Sequence, residues 1–213
     1  MISVVIKDDG EPKVIELTYQ NLWKELKDIK GAELLVSPNP LQELGNIKNK
    51  YICFVEADCL VSSGYFSSMI GLFRKNPASR RSGMLASGIG VGHWGNRFYG
   101  YEVVKFKGES RSHVQPVKEK KSRYQYTVQI GYVPGAIINA KMLRELEGLE
   151  LDFSNLIRMS TDISLAFWRM GDGHSVSINP NTTYVTTEDY VNDLGSFDPN
   201  AGDLKELFKR HGL

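Results

Sequence analysis

Cysteine is scarce in this sequence: Cys53 and Cys59 are the only two among 213 residues, close together on a predicted strand and the loop after it. Two thiols alone cannot close a zinc site, and their spacing does not read as a disulfide framework. The expectation is free thiols in a reducing compartment, and with it a cytoplasmic location. Long hydrophobic runs are missing as well, since no stretch approaches the ~20 apolar residues that a membrane-spanning helix requires. The opening Met1-Ile2-Ser3-Val4-Val5-Ile6 is apolar, but it has neither a basic lead-in nor a small-residue cleavage site. It reads as a first strand rather than a signal peptide. Nor is there an excess of either charge: 26 Lys and Arg stand against 25 Asp and Glu, a formal charge of +1. Any preference for nucleic acid or a membrane surface must therefore come from a local patch.

What is present is the composition of an ordinary globular domain, 41% hydrophobic and 24% charged, long enough to bury one full core. The first half alternates strand and helix signals, the pattern of an α/β domain. Ser3–Ile6 reads as a strand ending in the charged turn Lys7-Asp8-Asp9-Gly10. Leu22, Leu26 and Ile29 recur at helical spacing beside Trp23, with Gly31 where a helix C-cap glycine belongs. Glu33–Ser37 is a second strand, stopped by Pro38 and Pro40. Tyr51-Ile52-Cys53-Phe54-Val55 is apolar on both faces, as a central strand covered by helices must be. A helix is expected through Phe66, Met69, Ile70 and Phe73.

The second half is more mixed. Met84–Ser87 and Phe98–Phe106 read as strands, 107–123 as a long surface loop, and Tyr126–Ile138 as strand broken at Pro134-Gly135. Met142–Leu146 and Ile163–Met170 read as helices, His174–Ile178 as a last strand and Leu204–His211 as a terminal helix.

Three segments carry candidate chemistry. Glu56-Ala57-Asp58 places two carboxylates, one residue apart, at the carboxyl end of the buried strand, where open α/β sheets bind their ligands. Alternation along an extended chain would point both the same way toward one hard divalent cation, magnesium or manganese; a solvated acidic turn would look the same. In Gly131-Tyr132-Val133-Pro134-Gly135-Ala136-Ile137-Ile138-Asn139, glycine at a tight turn lets backbone approach a ligand, or simply turns a hairpin. Asp162 follows Ser160 and Thr161 at a predicted helix start, where it could serve the helix dipole or accept a hydroxyl proton as a general base.

Taken in order, these segments resemble the GT-A glycosyltransferases, above all the inverting family 2 group. An acidic D-x-D-like element ends a hydrophobic strand in Phe54-Val55-Glu56-Ala57-Asp58-Cys59-Leu60, a "V-P-G-A" segment follows at 133–136, and an acidic residue opens a helix ending in Arg169-Met170-Gly171. The resemblance spans roughly Tyr51 to Pro180. It implies a single GT-A-like α/β domain over 1–213, with a mostly parallel central sheet flanked by helices and a mixed second half. Residues 1–76 would be the nucleotide-binding half and 77–213 the acceptor-binding, catalytic half. It further implies Glu56 and Asp58 as ligands of Mn or Mg, Asp162 as catalytic base, and Lys7, Asp8, Ser37 and Gly135 around a nucleotide-sugar donor, a UDP-sugar. The sequence departs from the family at both nucleotide elements, where Lys7-Asp8-Asp9-Gly10 and Ser37-Pro38-Asn39-Pro40 stand, and one strand–helix unit before the acidic turn is missing or shortened. No clear counterpart exists for the histidine that often completes the metal shell; Thr187-Glu188-Asp189 occupies that region.

Two further segments bear on the acceptor. Gly90-Val91-Gly92-His93-Trp94-Gly95 fits a dinucleotide fingerprint, but a strand rather than a helix is expected after it, which removes the pyrophosphate site. A glycine-rich acceptor loop in which His93 and Trp94 stack on a sugar or base is the functional alternative to a plain turn. Between Lys105 and Arg123, seven basic residues including Lys120 and Arg123 face two acidic ones, a local charge of +5. Such a run is commonly a solvated face; it would also suit a phosphate-bearing acceptor polymer, such as phage-type DNA with hydroxymethylated bases. Two other classes stay open: a non-catalytic GT-A-like binding module, and a nucleotidyltransferase, for which no glycine-rich triphosphate loop follows the first strand.

Overall fold

The computed structural model describes residues 1–75, 85–91, 97–104, 113–117, 126–128, 131, 133–146, 156–170 and 176–186. The chain begins β1 (Ile2–Lys7), α1 (Pro12–Leu26), β2 (Glu33–Ser37), α2 (Pro40–Asn46) and β3 (Tyr51–Val55). β2, β1 and β3 lie side by side and parallel, so their carboxyl ends share one edge: Lys7 pairs with Ser37, and Ile6 with Val55. β4 (Cys59–Val61) and α3 (Tyr65–Lys75) follow. Beyond them come β5 (Leu85–Val91), β6 (Arg97–Phe98), β7 (Tyr101–Val104), β8 (His113–Pro116), β9 (Tyr126–Val128) and β10 (Ile137–Asn139). The described residues close with α4 (Ala140–Arg144), α5 (Leu156–Met170) and β11 (Val176–Thr186).

Among the described residues a nine-stranded sheet runs β2-β1-β3-β10-β5-β11-β4, with β6 on β5 and β9 on β11; β7 and β8 pair separately. β10 is antiparallel to both β3 and β5, whereas β5 and β11 are parallel to each other. This is the expected α/β domain, parallel at its first edge and mixed in its second half.

β3 shows why the sheet is covered on both sides. Tyr51, Cys53 and Val55 enter one core with Leu22 and Leu26 of α1 and Phe66 and Met69 of α3, while Ile52 and Phe54 enter the other with Ile163 and Phe167 of α5. All five β3 residues are buried, and each fully buried aliphatic or aromatic side chain contributes about 1.5–3 kcal/mol of hydrophobic stabilisation.

Several expectations require correction. The helix through Leu22 closes at Leu26 with Lys27 as its C-cap, so Ile29 and Gly31 fall in the turn beyond it, and Trp23 is 43% exposed. Pro40, read as a strand stop, is instead the first residue of α2, where a proline costs no hydrogen bond. The short strand β4 was not anticipated, because Cys59-Leu60-Val61 is too brief to show a period. Phe98–Phe106 is not one strand but β6 and β7, parted around Gly100 at φ 93°. Strand β8 lies inside the stretch read as loop; Val103 sits opposite Val114 across the β7–β8 pair. The proposed terminal helix at Leu204–His211 lies outside the described residues.

Candidate functional site

At the shared carboxyl edge, β3 runs into Glu56-Ala57-Asp58 and leaves as β4. Ala57 and Asp58 form a turn rather than an extended segment, yet burial still alternates: Ala57 is buried between half-buried Glu56 and Asp58. The turn is held from behind by α1. Thr18 Oγ1 donates to the Ala57 carbonyl at 2.7 Å, the Val61 amide donates to Asn21 Oδ1 at 3.0 Å, and the Gly64 amide donates to Glu25 Oε2 at 2.6 Å. Thr18, Asn21 and Glu25 recur at helical spacing beside Leu22, so one face of α1 both buries leucines and fixes the chain from 57 to 64. Gly10 closes the other side, since a Cβ there would lie 2.6 Å from Ala57 Cβ. The Lys7–Gly10 turn therefore packs directly on the acidic turn.

Tyr184 of β11, 1% exposed, meets Glu56 twice. Its hydroxyl donates to Glu56 Oε2 at 3.0 Å and accepts from the Glu56 amide at 3.2 Å. Burial pushes the Cys59 thiol well above its ordinary range; a hydrogen bond with Tyr184 opposes that rise, and the nearby charges of Glu56, Cys53 and Asp58 add to it. Cys53 and Cys59 are both free and buried.

The Pro134-Gly135 turn reaches the same corner. Gly135 adopts φ +72°, its amide donates to the Phe54 carbonyl at 2.7 Å, and its carbonyl accepts from Tyr65 Oη at 2.7 Å. The glycine is thus locked between the end of β3, α3 and Tyr184.

At the ends of β1 and β2, Lys7 donates to the Pro38 carbonyl at 3.0 Å and lies 3.7 Å from Asp9 Oδ2, while the Asp8 amide donates to the Ser37 carbonyl at 2.9 Å. Ser37 is 4% exposed; its hydroxyl donates to Glu43 at 3.1 Å and accepts from the Asn39 amide at 3.2 Å. That hydroxyl is engaged in starting α2.

Asp162 does not open a helix. It lies well inside α5, and Ser160 and Thr161 are not caps. Ser160 and Ser164 instead accept the backbone amides of Val133 and Gly131 at 3.0 and 3.2 Å, fastening α5 to the segment that leads into the glycine turn. Helical geometry sets Asp162, 8% exposed, on the side of α5 away from those serines, one turn beyond Arg158. Lys7, Asp8, Ser37, Glu56, Asp58 and Gly135 thus gather at one sheet edge. His93, Trp94, Lys120 and Arg123 lie outside the described residues, as do Thr187, Glu188 and Asp189.

The donor chemistry of the corner fits a hard divalent cation. Among the described residues no group of three His, Cys, Asp or Glu side chains is placed to hold a metal. Magnesium, however, is typically held by one or two carboxylates plus substrate phosphates and water. The residues that sequence reasoning missed are Tyr184, Thr18, Asn21 and Glu25. The three on α1 were visible as polar positions beside the leucine stripe; Tyr184 carried no local signal.

No protein-family model and no curated protein matches the sequence. Solved structures do resemble the fold. S. aureus TarS 1-349 in complex with UDP-GlcNAc superposes with a TM-score of 0.61 at 11% identity, covering 99% of this chain and 65% of that one. The same protein with UDP gives 0.58 at 9% identity, covering 99% and 64%. GalNAc-T7 with UDP, GalNAc and Mn2+ gives 0.56 at 10% identity, covering 99% and 54%. The chain thus spans 54% to 65% of the lengths of these neighbours, and the fold it shares with them is the GT-A-like α/β fold.

Proposed function

We propose that this chain transfers a sugar from a nucleotide-sugar, a UDP-sugar, to an acceptor hydroxyl with inversion at the anomeric carbon. The observation that carries the reading is the Glu56-Ala57-Asp58 turn, held by Thr18 and Tyr184 at the carboxyl edge of a sheet whose fold neighbours were solved with UDP, UDP-GlcNAc or UDP with Mn2+. Residues 1–76 form the nucleotide half in this reading and residues 77–213 the acceptor half.

Glu56 and Asp58 would hold Mn or Mg, which supplies Lewis-acid stabilisation of the departing diphosphate. Lys7, Asp8 and the backbone beside Ser37 line the nucleotide side, and Gly135 brings backbone to the cleft between donor and acceptor. As the acceptor oxygen bonds to the anomeric carbon, the bond from that carbon to the diphosphate oxygen breaks. The nucleoside diphosphate leaves with the electron pair, and the acceptor proton passes to Asp162. His93, Trp94, Lys120 and Arg123 belong to the acceptor side, with a phosphate-bearing polymer such as hydroxymethylated DNA as the acceptor class.

Incubation with a panel of nucleotide-sugars and candidate acceptors, read as release of free nucleoside diphosphate, tests this. Acceptor- and Mn-dependent release is expected; no release with any donor would overturn the transferase reading. A second reading, a non-catalytic GT-A-like module, draws on the engagement of Lys7 and Ser37 within the chain. It expects nucleotide binding without transfer.

A further inference from the structure

We infer that Tyr184 is a positioning residue: its buried hydroxyl sets the Glu56 carboxylate for the cation, an inference that rests on the proposed metal–nucleotide reading. The reciprocal pair of hydrogen bonds, phenol to carboxylate at 3.0 Å and amide to phenol at 3.2 Å, fixes side chain and backbone of one residue from a single atom. The phenol engages Oε2 of the carboxylate, which limits the orientations the group can take. Partners of this kind orient a ligand and limit the arrangements it must give up on binding.

The phenol is itself rigidly held. Its ring packs against Gly135, and the backbone of Tyr184 is paired with Val61 on one side and Gly90 on the other. Its register is set by an irregularity in β11: five steps from Ile178 to Thr183 match two steps from Ser87 to Ile89 in β5. Pro180, within that interval, has no amide to give a ladder, which suits a break in the pairing there. The extra residues bring Tyr184 opposite Val61, beside the turn that carries Glu56.

Tyr184→Phe keeps the ring against Gly135 and removes only the hydroxyl. Two readouts separate positioning from bulk structure. Amide hydrogen exchange without metal should show faster exchange at Glu56, which loses its acceptor. Titration of Mn2+ in the presence of UDP, followed by electron paramagnetic resonance of the free ion, should show affinity reduced by about 10–100-fold. In a Glu56→Gln background the added loss from Tyr184→Phe should be far smaller, because both changes act on the same carboxylate. Wild-type Mn2+ affinity in Tyr184→Phe, or equal losses in both backgrounds, would overturn the inference while leaving the metal–nucleotide reading standing. Absence of Mn2+ binding by the wild-type protein with UDP would overturn both.

Discussion

Gly135 and Tyr184 approach so closely that a Cβ on the glycine would lie 2.2 Å from Tyr184 Cδ2. The glycine also sits at φ +72°, where an L side chain is strained. Gly135→Ala is therefore expected to destabilise the fold by about 2–4 kcal/mol, combining strain with overpacking. Urea unfolding measures it, and a change below 1 kcal/mol would show that the turn relaxes freely.

Thr18 donates its hydroxyl to the Ala57 carbonyl from inside the core. Thr18→Val keeps the shape and leaves that carbonyl without this donor, at a cost of about 1–3 kcal/mol. Weaker Mn2+–UDP binding should accompany the loss, since the same bond holds the acidic turn; unchanged binding would separate the turn's geometry from α1.

Asp162→Asn is expected to lower transfer by about 10²–10⁴-fold, the range of a general base, with Mn2+–UDP affinity retained. Arg158→Gln provides the comparison, because Arg158 stands one helical turn away on the same side of α5. If Asp162 serves mainly an ion pair, the two variants will lose stability together and transfer will survive in both.

Burial holds the Cys53 thiol far above its ordinary value of 9.0. The folded chain keeps the thiol protonated where the unfolded chain ionises it, so this stability is complete below the unfolded value and declines as pH rises above it. By linkage, the loss at pH 10.5 is about 2 kcal/mol relative to neutral pH. Comparing the pH dependence of the urea midpoint in wild type and Cys53→Ala isolates it; parallel curves would contradict the assignment.

The parallel edge of the fold was legible because its signals are local. Ser3–Ile6, Glu33–Ser37 and Tyr51–Val55 each carry their own apolar pattern between turn residues, and all three became strands. Glu56 and Asp58 were legible for the same reason, as carboxylates ending a strand apolar on both faces. Tyr184 was not, because its role arises from a contact 128 residues away in sequence. The beginning of α5 was misplaced because Ser160 resembles a cap when its long-range partner, the Val133 amide, is unknown. Polar residues were thus read locally where tertiary contacts decide their use.

In the function proposed above, the Glu56–Asp58 corner binds a nucleoside diphosphate through a divalent cation. Calorimetric titration of UDP, with and without Mn2+, into wild-type protein and Asp58→Asn tests it directly. Binding should need Mn2+ and fall at least about tenfold in Asp58→Asn, a difference of about 1.4 kcal/mol or more. Equal UDP affinity with and without Mn2+, or in both proteins, would contradict it.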